Sequence, residues 1–168
     1  MKFMKWLLCG LFMVSLLLPA AAQAEVKIAV VDMGDIIFNS PEGKKAQETL
    51  RKKGQELGKE LERKRDEFTK EIELFQKQAV VMKEEARKKK EEEFNKKQME
   101  LQQQVGASQQ ELAKLEEKEL KPLYDKFAKV VNQIAKDNGY TVVLDKRMVI
   151  GFDPAIDITA KVKEAFGK

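Results

Sequence analysis

Few side chains in this sequence could do covalent chemistry, and they are badly placed for it. There is no histidine, hence no imidazole base, no Ser-His-Asp or Cys-His nucleophile pair and no histidine-containing metal site. The single cysteine, Cys9, lies in an apolar leader. Adjacent carboxylates of the acid–base type, Asp66-Glu67 and Glu116-Glu117, sit on polar helical faces with lysine neighbours. No glycine-rich phosphate loop is present, so neither a nucleotide nor any other cofactor or metal is expected. The pattern points away from catalysis and toward the chemistry of surfaces, meaning charge and exposed apolar groups.

The densest charge is Arg87-Lys88-Lys89-Lys90, a cluster suited to phosphate-bearing surfaces. Glu91-Glu92-Glu93 follows at once and neutralises most of it, which favours a solvated helix face. Nucleic-acid binding also needs aromatic or base-reading groups beside the charge. None accompanies this run, so no nucleic-acid partner is expected.

The elements that position these groups fall into distinct blocks. Met1 to Lys5 carries two lysines, Trp6 to Leu18 is apolar, and Pro19 precedes Ala22-Gln23-Ala24. These are the three parts of a secretory signal, expected to span 1–24 with cleavage after Ala24. The apolar run is shorter than the roughly 20 residues of a membrane span. Without the leader the chain has no cysteine or tryptophan and a net charge of +2. Its stability must then come from packing, helix length or oligomerisation.

From Lys44 to Lys136 there are 24 basic and 19 acidic residues and one proline, Pro122. Periodicity shows that this region is helical. Gly54, Leu61, Phe68, Phe75 and Met82 recur every seven residues, with Leu57, Ile72, Ala79 and Ala86 around them. A second seam runs Phe94, Gln98, Leu101, Val105, Ser108, Leu112 and Leu115. Glu84 to Lys88 and Glu92 to Lys96 add favourable i,i+4 pairs. One straight helix of this length would extend about 140 Å. A hairpin is expected instead, with residues 44–136 as an antiparallel coiled coil and its tip near 78–83, where Ala79-Val80-Val81-Met82 is apolar on every side. Gly54, Gly58, Gln98, Gly106 and Ser108 dilute the seams and make the arms flexible.

Residues 25–43 and 137–168 are expected to form a small β body with a terminal helix. Val26 to Asp32 reads as a strand, followed by a looser Met33-Gly34-Asp35. Ser40-Pro41 is a helix start, and Asn138-Gly139 ends the returning helix with a left-handed cap. Tyr140 to Asp145 is a second strand, Lys146-Arg147 a turn, and Met148 to Phe152 a third strand. Asp157 or Thr159 then caps a helix whose Ile158, Val162, Ala165 and Phe166 share a face. The fold class is therefore α+β. So few strands leave edges and a half-covered face, so self-association is expected through Ile28, Val30, Val31, Val142, Val143, Leu144, Val149 and Ile150.

Lys27-Ile28-Ala29-Val30-Val31-Asp32-Met33, a charged helical middle, Gly139-Tyr140-Thr141-Val142-Val143-Leu144-Asp145 and Asp157-Ile158-Thr159 resemble the OmpH family of periplasmic chaperones across essentially the whole mature chain. In that family, strands from three subunits build a β body from which three helical hairpins hang. Its members hold unfolded outer-membrane proteins between the arms without ATP and pass them toward the outer membrane. The resemblance implies a periplasmic homotrimer with that activity, and it raises lipopolysaccharide or an anionic membrane surface as a further partner. The charge departs from the best-known member, which is markedly basic, but the 44–136 segment still carries +5 against −3 for its flanks. Val80, Val81 and Met82 at the tip are either ordinary turn packing or exposed client contacts, and Phe68, Ile72, Phe75 and Phe94 are expected to serve the seam, and the client too if the arms open. The rival reading is a periplasmic coiled-coil spacer or adaptor of an envelope assembly, which needs a continuous, well-packed seam.

The leader generates a direct test. Intact mass of the exported protein should correspond to a chain starting at Glu25, whereas a mass that retains residues 1–24 or carries lipid on Cys9 would overturn the export argument.

Overall fold

The computed structural model describes residues 26–168; the expected signal segment 1–24 and its cleavage site lie outside the described residues. The element order is β1 (Ile28–Val31), α1 (Met33–Asn39), α2 (Pro41–Ala79), α3 (Glu84–Asn138), β2 (Val142–Asp145) and α4 (Thr159–Phe166), with single 3-10 turns at Lys146–Met148 and Pro154–Ile156. The two strands pair in parallel, with Ile28 opposite Val142 and Val31 opposite Asp145. On the other side of β1 a single bridge joins Val30 to Asp157, and the Ile158 amide donates to the Val30 carbonyl at 2.8 Å.

Parallel strands cannot be joined by a tight turn. Here the connection is the whole hairpin of α2 and α3. The ends of that hairpin are set by local chemistry. Ser40 caps α2: its hydroxyl accepts from the Gly43 amide at 2.9 Å and donates to the Ile37 carbonyl at 2.7 Å. Gly139 takes the left-handed conformation (φ 68°) that ends α3. Lys27 supports that end by donating its Nζ to the Asn138 carbonyl at 2.9 Å.

The core lies entirely in the body. Ala29, Val30 and Val31 of β1, Ile36 and Ile37 of α1, and Ala46 of α2 are buried with Leu120, Leu123, Phe127 and Ile134 of α3. Ile158, Val162 and Phe166 close the core from the C-terminal side, the face expected from their spacing, with Ala165 half-buried beside them. Lys126 lies over the Phe166 ring at 4.7 Å and pairs with Glu42 at 3.4 Å, tying the root of both arms to α4.

Two local expectations are corrected. Met33 to Phe38 is helical, because the Asp32 carboxylate accepts from the Asp35 amide at 2.9 Å and Ile36 and Ile37 turn inward together. Met148 to Phe152 is not a strand. Asp145 accepts from the Arg147 amide at 2.9 Å and pairs with the Arg147 guanidinium, which bends the chain away as β2 ends. Both sides of β1 are already occupied, so this apolar stretch finds no pairing there, and Ile150 stands fully in solvent.

Aspartates fix the ends of the body elements. Hydrogen bonds from Arg147 hold the Asp145 carboxyl below its ordinary pKa, and those from the Thr159 hydroxyl and amide do the same for Asp157. The residue at the cap position of α4 is Ile158, which makes no side-chain cap hydrogen bond, so neither Asp157 nor Thr159 is the cap expected from the sequence. Asp157, one residue earlier, accepts from the Thr159 amide at 2.9 Å, and the Thr159 hydroxyl accepts from the Asp32 amide at 2.9 Å.

Gly43 is the tightest point of the body. A Cβ there would stand 1.9 Å from the Ile37 carbonyl oxygen, a backbone atom that cannot move aside alone. Gly43→Ala should cost about 1–3 kcal/mol, the usual range for overpacking. The loss should appear as a lower midpoint in thermal denaturation, with the arms still helical by circular dichroism just below it.

Candidate functional site

The 39 residues of α2 and 55 of α3 make arms of about 58 and 82 Å at about 1.5 Å per residue. They join through residues 80–83, where the Val81 amide donates to the Gln78 carbonyl at 3.1 Å. Two adjacent valines have restricted side chains that weaken the helix where the charged pairs stop. Their apolar groups meet nothing of their own chain: Val80 is 88% and Val81 86% exposed, while Met82 is half-buried.

Just behind the tip the expected aromatic residues come together. The Phe94 ring packs edge-on against Phe68 at 5.8 Å and Phe75 at 5.1 Å, both at 69°. Ile72 is half-buried beside them, and the Lys90 ammonium lies 5.8 Å from the Phe94 centroid. Lys90 is held there by Glu93 at 2.7 Å, the contact that raises its pKa.

Between tip and body the two edges of the hairpin differ. Along one edge polar pairs cross from arm to arm: Glu42 with Lys126 at 3.4 Å, Lys53 with Glu111 at 2.9 Å, Lys64 with Gln104 at 3.0 Å, and Glu71 with Lys97. Residues 42, 53 and 64 of α2 are eleven apart, about three helical turns, so they return to one face. Glu111, then Glu56, raises the Lys53 pKa. On the outer surface Arg51 draws Glu48 down to about 2. Exposed pairs of this kind are screened by water and add little, so the ladder fixes register more than it adds stability.

Along the opposite edge lies an open groove of about 1100 Å³ with Leu61, Phe68, Leu101 and Val105 as its floor. Gly58 lines it, and a Cβ added at Gly54, Gly58 or Gly106 would meet no atom within 4 Å. The glycines expected to dilute the seam thus leave real space. The ladder and groove escaped the sequence reading, although the eleven-residue spacing of Glu42, Lys53 and Lys64 and the charge-free run Leu101 to Gln110 were visible signals.

The strand residues divide in two. Val30 and Val31 are buried within the chain's own core, and Val143 and Val149 are half-buried. Ile28, Val142, Leu144 and Ile150 leave apolar surface in solvent. Among the described residues no group of three or more potential metal ligands comes together.

This arrangement of body and hairpin has known counterparts. The family model described as outer membrane protein (OmpH-like) matches residues 27–166. The chain belongs to the OmpH-like family. Among curated relatives of this OmpH-like chain, chaperone protein Skp of Photorhabdus luminescens is 29% identical over 160 residues, covering 95% of this chain and 97% of the relative. Chaperone protein Skp of Yersinia enterocolitica is 27% identical over 158 residues, covering 94% and 96%. A solved chain described as an outer membrane chaperone (OmpH-like) from Caulobacter crescentus CB15 superposes with a TM-score of 0.69 at 21% identity, covering 83% of each, and shows the same fold. These relatives are chaperones, not enzymes, in keeping with the absence of catalytic side chains expected from the sequence.

Phe94 is the one side chain that bridges both aromatic partners of the opposite arm. Phe94→Ala should speed amide hydrogen exchange across residues 68–94 by tenfold or more, equivalent to about 1.4 kcal/mol of local opening. Exchange in β1 and α4 should not change.

Proposed function

We propose that the chain is a periplasmic, ATP-independent holdase that binds unfolded outer-membrane proteins between its helical arms and keeps them soluble for delivery to the outer membrane. The observation that carries this reading is the pair of bare valines at the end of a long arm, in a chain whose family kin include named chaperones. Apolar surface displayed away from any core is suited to transient contact with apolar segments of another chain. Each contact is small, about 25 cal/mol per Å² buried. Several arms acting on one client raise the effective concentration of the next contact, so retention comes from avidity and release needs no chemical energy.

In this reading three protomers assemble through the exposed strand residues Ile28, Val142, Leu144 and Ile150, which lets the arms surround a common space. A two-stranded sheet with a free β2 edge is marginal alone, which supports completion by neighbouring subunits. The +5 charge of residues 44–136 favours acidic clients, and it would also draw the arms toward lipopolysaccharide phosphates or an anionic membrane surface. Open space at Gly54, Gly58 and Gly106 weighs against a rigid spacer.

Suppression of aggregation of a urea-unfolded outer-membrane protein, followed across a salt series, tests the proposal. Binding should weaken with salt, because exposed charges are screened within about 8 Å at physiological ionic strength, yet persist through apolar contact and ignore ATP. Replacing Val80, Val81 and Met82 together by serine should reduce suppression at high salt with helix content unchanged. Leu144→Asp, at an exposed position, should dissociate the oligomer without unfolding the protomer. Absence of suppression by the wild type at any stoichiometry would defeat the holdase.

A further inference from the structure

The groove along the unladdered edge carries an inference that rests on the holdase reading and sharpens it. Ten consecutive residues, Leu101 to Gln110, carry no charge in a segment where 43 of 93 residues are charged. Gln98, Gln102, Val105, Gly106 and Gln109 follow one another along the same edge of α3. They form an uncharged stripe about 16 Å long at about 1.5 Å per residue, enough for about five residues of extended chain. The charges at the groove, Glu62, Arg65 and Asp66, all stand on the α2 lip.

We infer that this edge is a strand-binding groove that takes an extended, uncharged segment of an unfolded barrel protein laid along α3. Spacing and charge both select such an occupant. Gln98 to Gln102, and Leu101 to Val105, are each four residues apart, or about 6.0 Å along the helix. Alternate residues of an extended chain repeat at about 6.7 Å. Successive inward side chains therefore meet the apolar floor, while successive peptide groups reach glutamine amides that both donate and accept. A charged segment would lose water without gaining a partner on the α3 side. Membrane-spanning β-strands alternate apolar and polar residues with the required period of two. Space for the incoming backbone exists because Gly58 lines the groove and places no side chain there. The opposite edge is crossed by the ladder from Lys53–Glu111 to Glu71–Lys97, so the groove opens on one side only.

Gln102 and Glu100 provide an internal control, since both are exposed, lie two residues apart on α3 and line opposite edges. A photo-crosslinking amino acid would replace each in turn in the full mature protein, and irradiation would follow addition of a urea-unfolded outer-membrane barrel protein. At least tenfold more adduct is expected from position 102 than from position 100. A blocked ten-residue peptide alternating valine or leucine with serine or threonine should reduce the 102 adduct by more than half. The same peptide with aspartate at two of its apolar positions should not. Equal adducts at 100 and 102, or equal competition by the aspartate peptide, would overturn the groove. No adduct at either position from variants that still suppress aggregation would overturn the groove and leave the holdase standing. Loss of suppression by the wild type itself would instead count against the holdase.

Discussion

The parallel pairing of β1 with β2 is the constraint on which the rest of the structure depends. Ile28 and Val142 lie opposite one another although 114 residues apart in sequence, and both strands run the same way. Whatever lies between them must travel out and return. Two antiparallel helices satisfy that requirement with a single turn. The lock is reinforced at its edge, where Thr141 donates its amide to the Lys27 carbonyl at 2.7 Å and accepts the Lys27 amide at 3.2 Å.

Stability is distributed in accordance with that plan. Apolar burial is concentrated where the arm roots, α1 and α4 meet, with Ile36, Ile37, Val162 and Phe166 almost fully enclosed. Beyond Ala46 and Leu120 no arm residue is fully buried. The arms hold together by half-buried seam residues, one aromatic cluster and a ladder of exposed polar pairs. Such contacts are weak singly and fray from the tip inward. Little packing therefore has to be broken when the arms adjust.

Much of this was legible in the sequence wherever short-range chemistry decides the structure. Ser40-Pro41 starts a helix and Gly139 ends one because capping depends on a few neighbouring atoms. The seams were legible because heptad spacing runs over many turns. The helix Met33–Asn39 is too short for periodicity to distinguish it from a strand extension, and its cap, Asp32, doubles as the end of a strand run. Met148 to Phe152 has strand-like residues, but pairing is a property of neighbours and not of the segment itself. Among the candidate site residues, the tip valines were readable as apolar residues with nothing to pack on. The meeting of Phe68, Phe75 and Phe94 required the two arms to be in register, which no single segment specifies.

The position of α4 sets the order in which this molecule can assemble. Val162 and Phe166 fill the centre of a core whose other side is supplied by β1 and α1, more than 120 residues earlier. Helical arms rely on local contacts and form quickly, whereas contacts between distant parts of the chain must first overcome the entropy of closing a long loop. As the chain is made, its arms can be formed while Ile36 and Ile37 still face water. The body closes only when residue 166 has arrived. Until then the molecule is itself an incompletely folded chain with exposed apolar surface, subject to the same hazard of aggregation as any polypeptide whose core is still open.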